Sequence, residues 1–249
     1  MSRESYDQIA AVYATDMGQS MAYDDVGYYR QLCQAKGGSS LELGCGTGRI
    51  LLPLLKSGID IRGIDQSPGM LTELRRLADE QQLQPQVSLG TLTDFYSDTL
   101  CNTILAPYSV VTYLTETSLL NAFFTAVNNV LAVDGQLVLD TFIPRELSSF
   151  NEFRLDYRRP HGAGILQREK RIERVGYCNH IERRYTLLDD AGEVQRTWTT
   201  LDIIRPWTEV ELVTAAQEHN FNLVEKAFDF SSSPSANPQF VILHFQQKK

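Results

Sequence analysis

The sequence predicts an α/β protein built on a doubly wound parallel sheet, with antiparallel strands added late in the chain. Three observations carry this. Short apolar runs alternate with helical patterns five times between residues 39 and 142, which is the pattern of a parallel sheet with right-handed crossovers. The first run leads straight into Leu41-Glu42-Leu43-Gly44-Cys45-Gly46-Thr47-Gly48-Arg49-Ile50, which places three glycines where a strand turns into a helix. From residue 155 to 205 the helical spacing gives way to extended segments separated by turn signals.

Composition narrows the function classes. A chain of 249 residues fits one domain with insertions, and 43% hydrophobic with 22% charged residues is ordinary for a globular protein. The 31 acidic and 23 basic residues give a net charge of −8, which repels phosphate backbones and anionic lipid and argues against nucleic-acid and membrane partners. Cys33, Cys45, Cys101 and Cys178 show no C-x-x-C pairing, so reduced, mostly buried thiols are expected. No apolar run reaches the ~18 residues of a spanning helix, and the first residues lack a signal-peptide core. The expected location is the cytoplasm.

The elements follow in order. Tyr6, Ile9, Ala10 and Tyr13, then Val26, Tyr29, Leu32 and Cys33, recur at three- and four-residue intervals and suggest two helices joined near residues 17–24. Ser39 opens the first strand. Ile50, Leu51, Leu54 and Leu55 define the helix behind the glycines, closed by Lys56-Ser57-Gly58. Residues 59–65 form a second strand ending on Asp65, roughly twenty residues past the glycines, the separation at which a βαβ unit brings an acid to a ribose. Ser67 and Pro68 cap the next helix, with Met70, Leu71, Leu74 and Leu77 on one face. Residues 87–89 and 102–106 are further strands. The second of these ends at Ala106-Pro107-Tyr108-Ser109, which should floor a site, because open α/β sheets bind ligands beyond the carboxyl ends of their strands. A helix with Leu120, Phe123, Phe124, Val127 and Val130 leads through a turn at 133–135 to a fifth strand, 136–142. Then come the extended segments 165–175, 180–188 and 194–204. A helix capped by Thr208 with Glu211 follows, and two closing strands, 221–230 and 239–246. Ser231-Ser232-Ser233-Pro234-Ser235 reads as a loop.

Glycines at such a turn let a ligand approach the backbone without a Cβ in the way, beside the free N–H groups of a helix start. The spacing is G-x-G-x-G, and Arg49 stands where a dinucleotide fingerprint has its third glycine. With Glu42 two residues ahead, the stretch resembles motif I of the class I S-adenosylmethionine-dependent methyltransferases. The resemblance is specific over residues 41–71 and looser over 87–114 and 131–144. It implies a Rossmann-like seven-stranded sheet whose last strand is antiparallel and lies between strands five and six. It also implies an inserted antiparallel β lid, as in small-molecule N-methyltransferases acting on amino sugars or amino acids. One domain is expected: an N-terminal helical lid (1–36), a cofactor-binding core (37–144), inserted strands over the active site (145–206) and a C-terminal completion of the sheet (207–249).

The cofactor implied is S-adenosylmethionine, with its amino-acid tail in the loop of Gly44, Cys45, Gly46 and Gly48 beside Glu42. Its ribose falls on Asp65, next to Gln66 and Ser67. Tyr13 resembles the lid tyrosine of a Tyr-x(6)-Tyr pattern starting at Tyr6. Met70 is placed to touch adenine or to fill the core. Where the family carries Gly-Asp-Met-Arg-Asp-Phe, this chain has Gly90-Thr91-Leu92-Thr93-Asp94-Phe95, so Thr91 departs from the pattern and the backbone N–H of Leu92 becomes the adenine contact. Ala106 lies under the site.

Methyl transfer from a sulfonium is an in-line displacement that depends chiefly on orientation, so a strong base is optional. The catalytic candidates are Tyr108, Tyr113 and His161, the last in a basic loop at 158–164 that could clamp an anionic group or simply be solvated. The other histidines, His180, His219 and His244, lack ligand-spaced acids or cysteines, so no metal site is expected. The expected function is methyl transfer to N or O of a small-molecule acceptor, with homodimerisation left open. The alternatives are an inactive S-adenosylmethionine-binding partner subunit and, disfavoured by Arg49, a nicotinamide-dependent dehydrogenase.

Overall fold

The computed structural model describes residues 3–17, 21–145, 149–231, 233 and 235–248. The join between the first two helices and the serine-rich stretch lie partly outside them. Two helices open the chain, α1 (Arg3–Met17) and α2 (Asp25–Lys36), followed by β1 (Ser40–Leu43), α3 (Leu51–Lys56), β2 (Ile61–Asp65), α4 (Pro68–Glu80), β3 (Gln86–Leu89) and β4 (Cys101–Ala106). A 3₁₀ turn (Val110–Tyr113), α5 (Thr117–Val130) and β5 (Leu131–Phe142) complete the first half. The inserted strands are β6 (Phe150–His161), β7 (Gly164–Val175), β8 (Cys178–Leu188) and β9 (Val194–Ile204), and α6 (Glu209–Glu218), β10 (Phe221–Phe228) and β11 (Phe240–Gln247) close the chain.

The main sheet runs β10-β11-β5-β4-β1-β2-β3. β1, β2, β3, β4 and β5 are parallel, while β11 pairs antiparallel with both β10 and β5. β1 is an interior strand, between β4 and β2, and is buried at every position, Ser40 and Glu42 included. The chain reverses its direction of travel across the sheet between β1 and β4, so the crevice beyond their carboxyl ends is where ligands are accommodated. Phe123, Phe124, Phe221 and Phe245 pack on one face with Leu41 and Leu139. Leu51, Leu54, Leu74 and Tyr29 pack on the other. Each such side chain contributes about 1.5–3 kcal/mol over exposure.

The caps form as the sequence implies. Ser67 accepts from the Met70 N–H with Pro68 at the start of α4, and Thr208 with Glu211 forms a reciprocal capping box on α6.

Four expectations are corrected. β3 reaches β4 through residues 90–100 with no helix, a loop pinned by the Thr91–Asp94 bridge, so the five units are not all strand-then-helix. β5 starts at Leu131, ahead of the expected turn: Asp134 takes φ 60° and the register slips between Cys101 and Thr103, so a bulge absorbs the turn residues. The lid has four strands, because residues 150–161 also form one. Pro160 obscured it, and Pro160 is tolerated because β6 is an edge strand of the β6-β7-β8-β9 sheet. The basic loop expected at 158–164 shrinks to a hairpin tip between His161 and Gly164.

Candidate active site

The glycine loop leaves β1 with Gly44, Gly46 and Gly48 at φ 75°, 53° and 86°, a left-handed backbone closed to most other residues without strain. A Cβ on Gly44 would meet Val110 Cγ2 at 2.7 Å, so the loops after β1 and β4 touch across the crevice. Asp65, at the end of β2, accepts from the Gly46 N–H (2.8 Å) and the Ser67 N–H (2.9 Å). Burial raises its pKa while these backbone donors lower it. A carboxylate has about four lone-pair directions, so acceptor capacity remains for a ligand beside the backbone donors. Arg49 spans the loop and α2 with a bidentate pair to Asp25 (2.9 and 2.6 Å) and lies 5.1 Å over the Tyr108 ring. In place of a glycine that lets a helix approach pyrophosphate, the chain has a side chain that fastens the loop to its neighbours.

After β4, Tyr108 and Ser109 adopt φ 59° and 56°, a costly conformation for non-glycine residues. Asp140 on β5 holds it. Its carboxylate accepts from the Tyr108 N–H (2.6 Å), the Ser109 N–H (2.8 Å) and the Tyr29 hydroxyl (2.5 Å). Burial pushes the Asp140 pKa up to about 6 against these bonds.

Two adjoining cavities result. The first, about 190 Å³, lies between the glycine loop, Asp65, Gln66 and the 90–93 loop. The second, about 370 Å³, lies between the 107–113 segment and the inner face of the lid. Tyr6, Tyr13, Gly44, Val110 and Tyr113 line both. The Tyr6 hydroxyl donates to the Tyr113 hydroxyl at 3.1 Å. Burial pushes the phenol pKa values of Tyr6, Tyr13, Tyr108 and Tyr113 up, so at neutral pH these groups are protonated donors.

The lid is fastened to α1 by charge. Asp16, buried at 1% exposure, takes an ion pair from Arg168 and a hydrogen bond from the Tyr185 hydroxyl (3.0 Å), and Arg159 donates to its backbone carbonyl. Arg168 also pairs with Asp156 at 2.6 Å. On the far side Arg205 N–H donates to Thr112 carbonyl (2.8 Å).

Of the residues expected at the site, Tyr13, Gly44, Gly46, Asp65, Gln66, Thr91, Leu92, Tyr108 and Tyr113 line the two cavities. Seven lie outside both linings. Ser67 spends its hydroxyl capping α4 and donating to Asp7 (2.6 Å). Met70 is fully buried among Ile9, Val12 and Leu166. Cys45 faces inward, its Sγ 2.7 Å from where a Cβ on Gly63 would sit, and burial pushes its thiol pKa well up. Gly48 is pressed on Leu52 and Leu74. Ala106 is enclosed in β4. Glu42 is 2% exposed, with Oε2 unpartnered and its pKa raised by burial. The His161 ring meets the Thr15 hydroxyl at 2.9 Å at the lid's hairpin tip. Missed from sequence were Asp16, Arg168, Arg183, Asn179 and Asp202, all lining the second cavity. For all of these but Asp16, which is on α1, the available signal was polar residues on the inserted strands.

Residues 41–135 match the family model described as a methyltransferase domain. The core of this chain is therefore similar to a methyltransferase domain. A curated protein of Geobacillus sp. (strain WCH70), named as a methyltransferase, is 31% identical over 102 residues. The chain spans 40% of that relative's length, and the match covers 40% of this chain. Solved structures extend the likeness beyond the methyltransferase domain to the lid. A Clostridium acetobutylicum S-adenosylmethionine-dependent methyltransferase superposes with TM-score 0.81 at 16% identity, over 98% of this chain and 99% of its own. The CcbJ methyltransferase of Streptomyces caelestis gives 0.81 at 20%, over 100% of both chains. The sugar N-methyltransferase KedS8 of Streptoalloteichus gives 0.75 at 19%, over 96% and 92%. These likenesses establish the fold as that of class I S-adenosylmethionine-dependent methyltransferases.

Proposed function

We propose that the chain is an S-adenosylmethionine-dependent methyltransferase that methylates an amine nitrogen of a small polar molecule. The observation that carries the reading is the pair of chambers sharing one wall of tyrosines, the first bounded by the glycine loop and Asp65, the second by the lid. The residues of the first chamber suit the cofactor: left-handed glycines leave the backbone approachable, and Asp65 offers acceptors to vicinal hydroxyls. Bound there, S-adenosylmethionine supplies an electrophilic methyl group. The chain's own work is then to orient the acceptor and keep water out, from which most of the rate advantage of such a displacement comes, on the order of 7–11 kcal/mol in well-oriented cases.

Nitrogen is favoured over oxygen by what lines the second chamber. An oxygen nucleophile needs a general base, yet no histidine is among the described lining residues, and its tyrosines are held protonated by burial. Asp16 and Asp202 each face an arginine. An amine can arrive as the free base and needs no such group. The structural likeness to KedS8, a sugar N-methyltransferase, supports the same choice.

The test is calorimetry with S-adenosylhomocysteine and NAD, followed by labelled-methyl transfer to small amines. Uptake of the former alone, with label moving to nitrogen, is expected. Failure to bind S-adenosylhomocysteine would refute the reading, and binding without transfer to any acceptor would leave a cofactor-binding partner subunit.

A further inference from the structure

The inner face of the lid has hydrogen-bonding capacity that the fold does not use. Along β8 and β9, Asn179, Ile181, Arg183 and Tyr185 stand opposite Ile204, Asp202, Thr200 and Trp198. Asn179 (0% exposed) and Asp202 (3%) both line the second cavity. The Oδ1 of Asn179 accepts from Arg174 Nη1 at 2.8 Å. A guanidinium only donates, so this bond fixes the amide's orientation and leaves Nδ2 as its other end. That Nδ2 has no partner. Asp202 pairs through Oδ2 with Arg183, while its Oδ1 has no partner.

A buried polar atom left unpaired costs about 1–3 kcal/mol, and such atoms in a native fold call for an explanation. Here there are two, one donor and one acceptor, on one wall of one cavity. Because Asn179 is opposite Ile204 and Asp202 opposite Ile181, they are diagonal neighbours, about 7–8 Å apart and somewhat closer between Cβ atoms. One small molecule with two polar substituents spans that gap. Neither residue lines the first chamber, so the pair meets the body of an acceptor and not the cofactor.

Resting on the methyltransferase reading above, we infer that Asn179 and Asp202 are the specificity-determining residues for the acceptor. Asn179 Nδ2 donates to a substrate oxygen and Asp202 Oδ1 accepts from a substrate O–H or N–H. The acceptor selected is a small amine that also carries hydroxyl groups, gripped at a distance from the nitrogen to be methylated. A plain hydrocarbon amine leaves both groups unpaired, which is how a polar site rejects an analogue.

The experiment compares labelled-methyl transfer to 3-amino-1,2-propanediol and glucosamine with transfer to propylamine and cyclohexylamine. The hydroxylated amines are expected to lead in kcat/KM by roughly a hundredfold, the size of two lost substrate hydrogen bonds at about tenfold each. Asn179→Leu and Asp202→Asn should each reduce that lead by about tenfold, with S-adenosylhomocysteine affinity unchanged. Asn179→Leu is the decisive variant, since it leaves Arg183 its carboxylate. Equal rates for hydroxylated and plain amines, or a preference undiminished by Asn179→Leu, would overturn the inference. So would transfer to none of the four amines while S-adenosylhomocysteine binds. Absence of that binding would instead bring down the reading on which the inference rests.

Discussion

The wall formed by the glycine loop and the wall formed by the lid use different materials. On the first, the shape comes from backbone: Gly44, Gly46 and Gly48 in left-handed conformation, and Asp65 held by two main-chain N–H groups. On the second, it comes from side chains, with Arg168, Asp156, Asp16 and Tyr185 tying the sheet to α1 and Asn179 and Asp202 facing the cavity. A backbone wall tolerates almost no substitution, because φ itself would have to change. A side-chain wall can be rewritten residue by residue while the sheet stays intact. The difference teaches where this molecule is free to vary its ligand and where it is not.

Substitutions can break that contrast. The largest effect is expected at Gly46→Val, which places a β-branched residue at φ 53° with its side chain aimed toward Tyr13. The backbone strain alone is about 1–2 kcal/mol, and calorimetry should find no S-adenosylhomocysteine binding. Retained affinity would mean that backbone shape is not what the first wall depends on. Next is Arg168→Met on the lid. Breaking a buried pair costs about 3 kcal/mol at the low end, appropriate here because Tyr185 still donates to Asp16. Denaturant unfolding should report the loss, and acceptor KM should rise more than cofactor affinity falls. An equal fall in both would show that the walls are not separable. Asp65→Ala should weaken S-adenosylhomocysteine binding by about 2 kcal/mol, the worth of a hydrogen bond to a charged group, read by the same calorimetry.

Stability also depends on pH through Asp140. Asp140, lifted to about 6 from an ordinary 3.8, retains its proton in the folded state where the unfolded chain has lost it. A group of this kind favours the fold below about pH 4, and that contribution is lost as the pH rises through about 6. In urea unfolding, acidification from about pH 7 to about pH 4 should therefore move the stability gap toward wild type relative to Asp140→Asn. A gap that does not change with pH would separate Asp140 from the support of Tyr108.

Much of the first wall was legible in the sequence, because a left-handed turn demands glycine and a strand-end carboxylate at the right separation demands little else. The sheet and its caps were legible for the same reason: Ser67, Thr208 and Glu211 act locally. The second wall was not. The polar residues of β8 acquire their meaning from which way an antiparallel register turns them, and a one-residue slip would face them to solvent. β6 was hidden by Pro160, which is acceptable only on an edge. Asp140 reads as the polar end of a strand, and nothing local reveals that it holds two left-handed residues more than thirty positions earlier.

Tyr6 and Tyr13 belong to one helix and to both chambers. Whatever occupies one chamber therefore presses on an element that the other occupant also needs, and by linkage any influence of the first on the second is returned in equal measure. Two-substrate initial-rate plots for this protein are accordingly expected to show interacting, not independent, terms, with the N-terminal helix as the physical link between them.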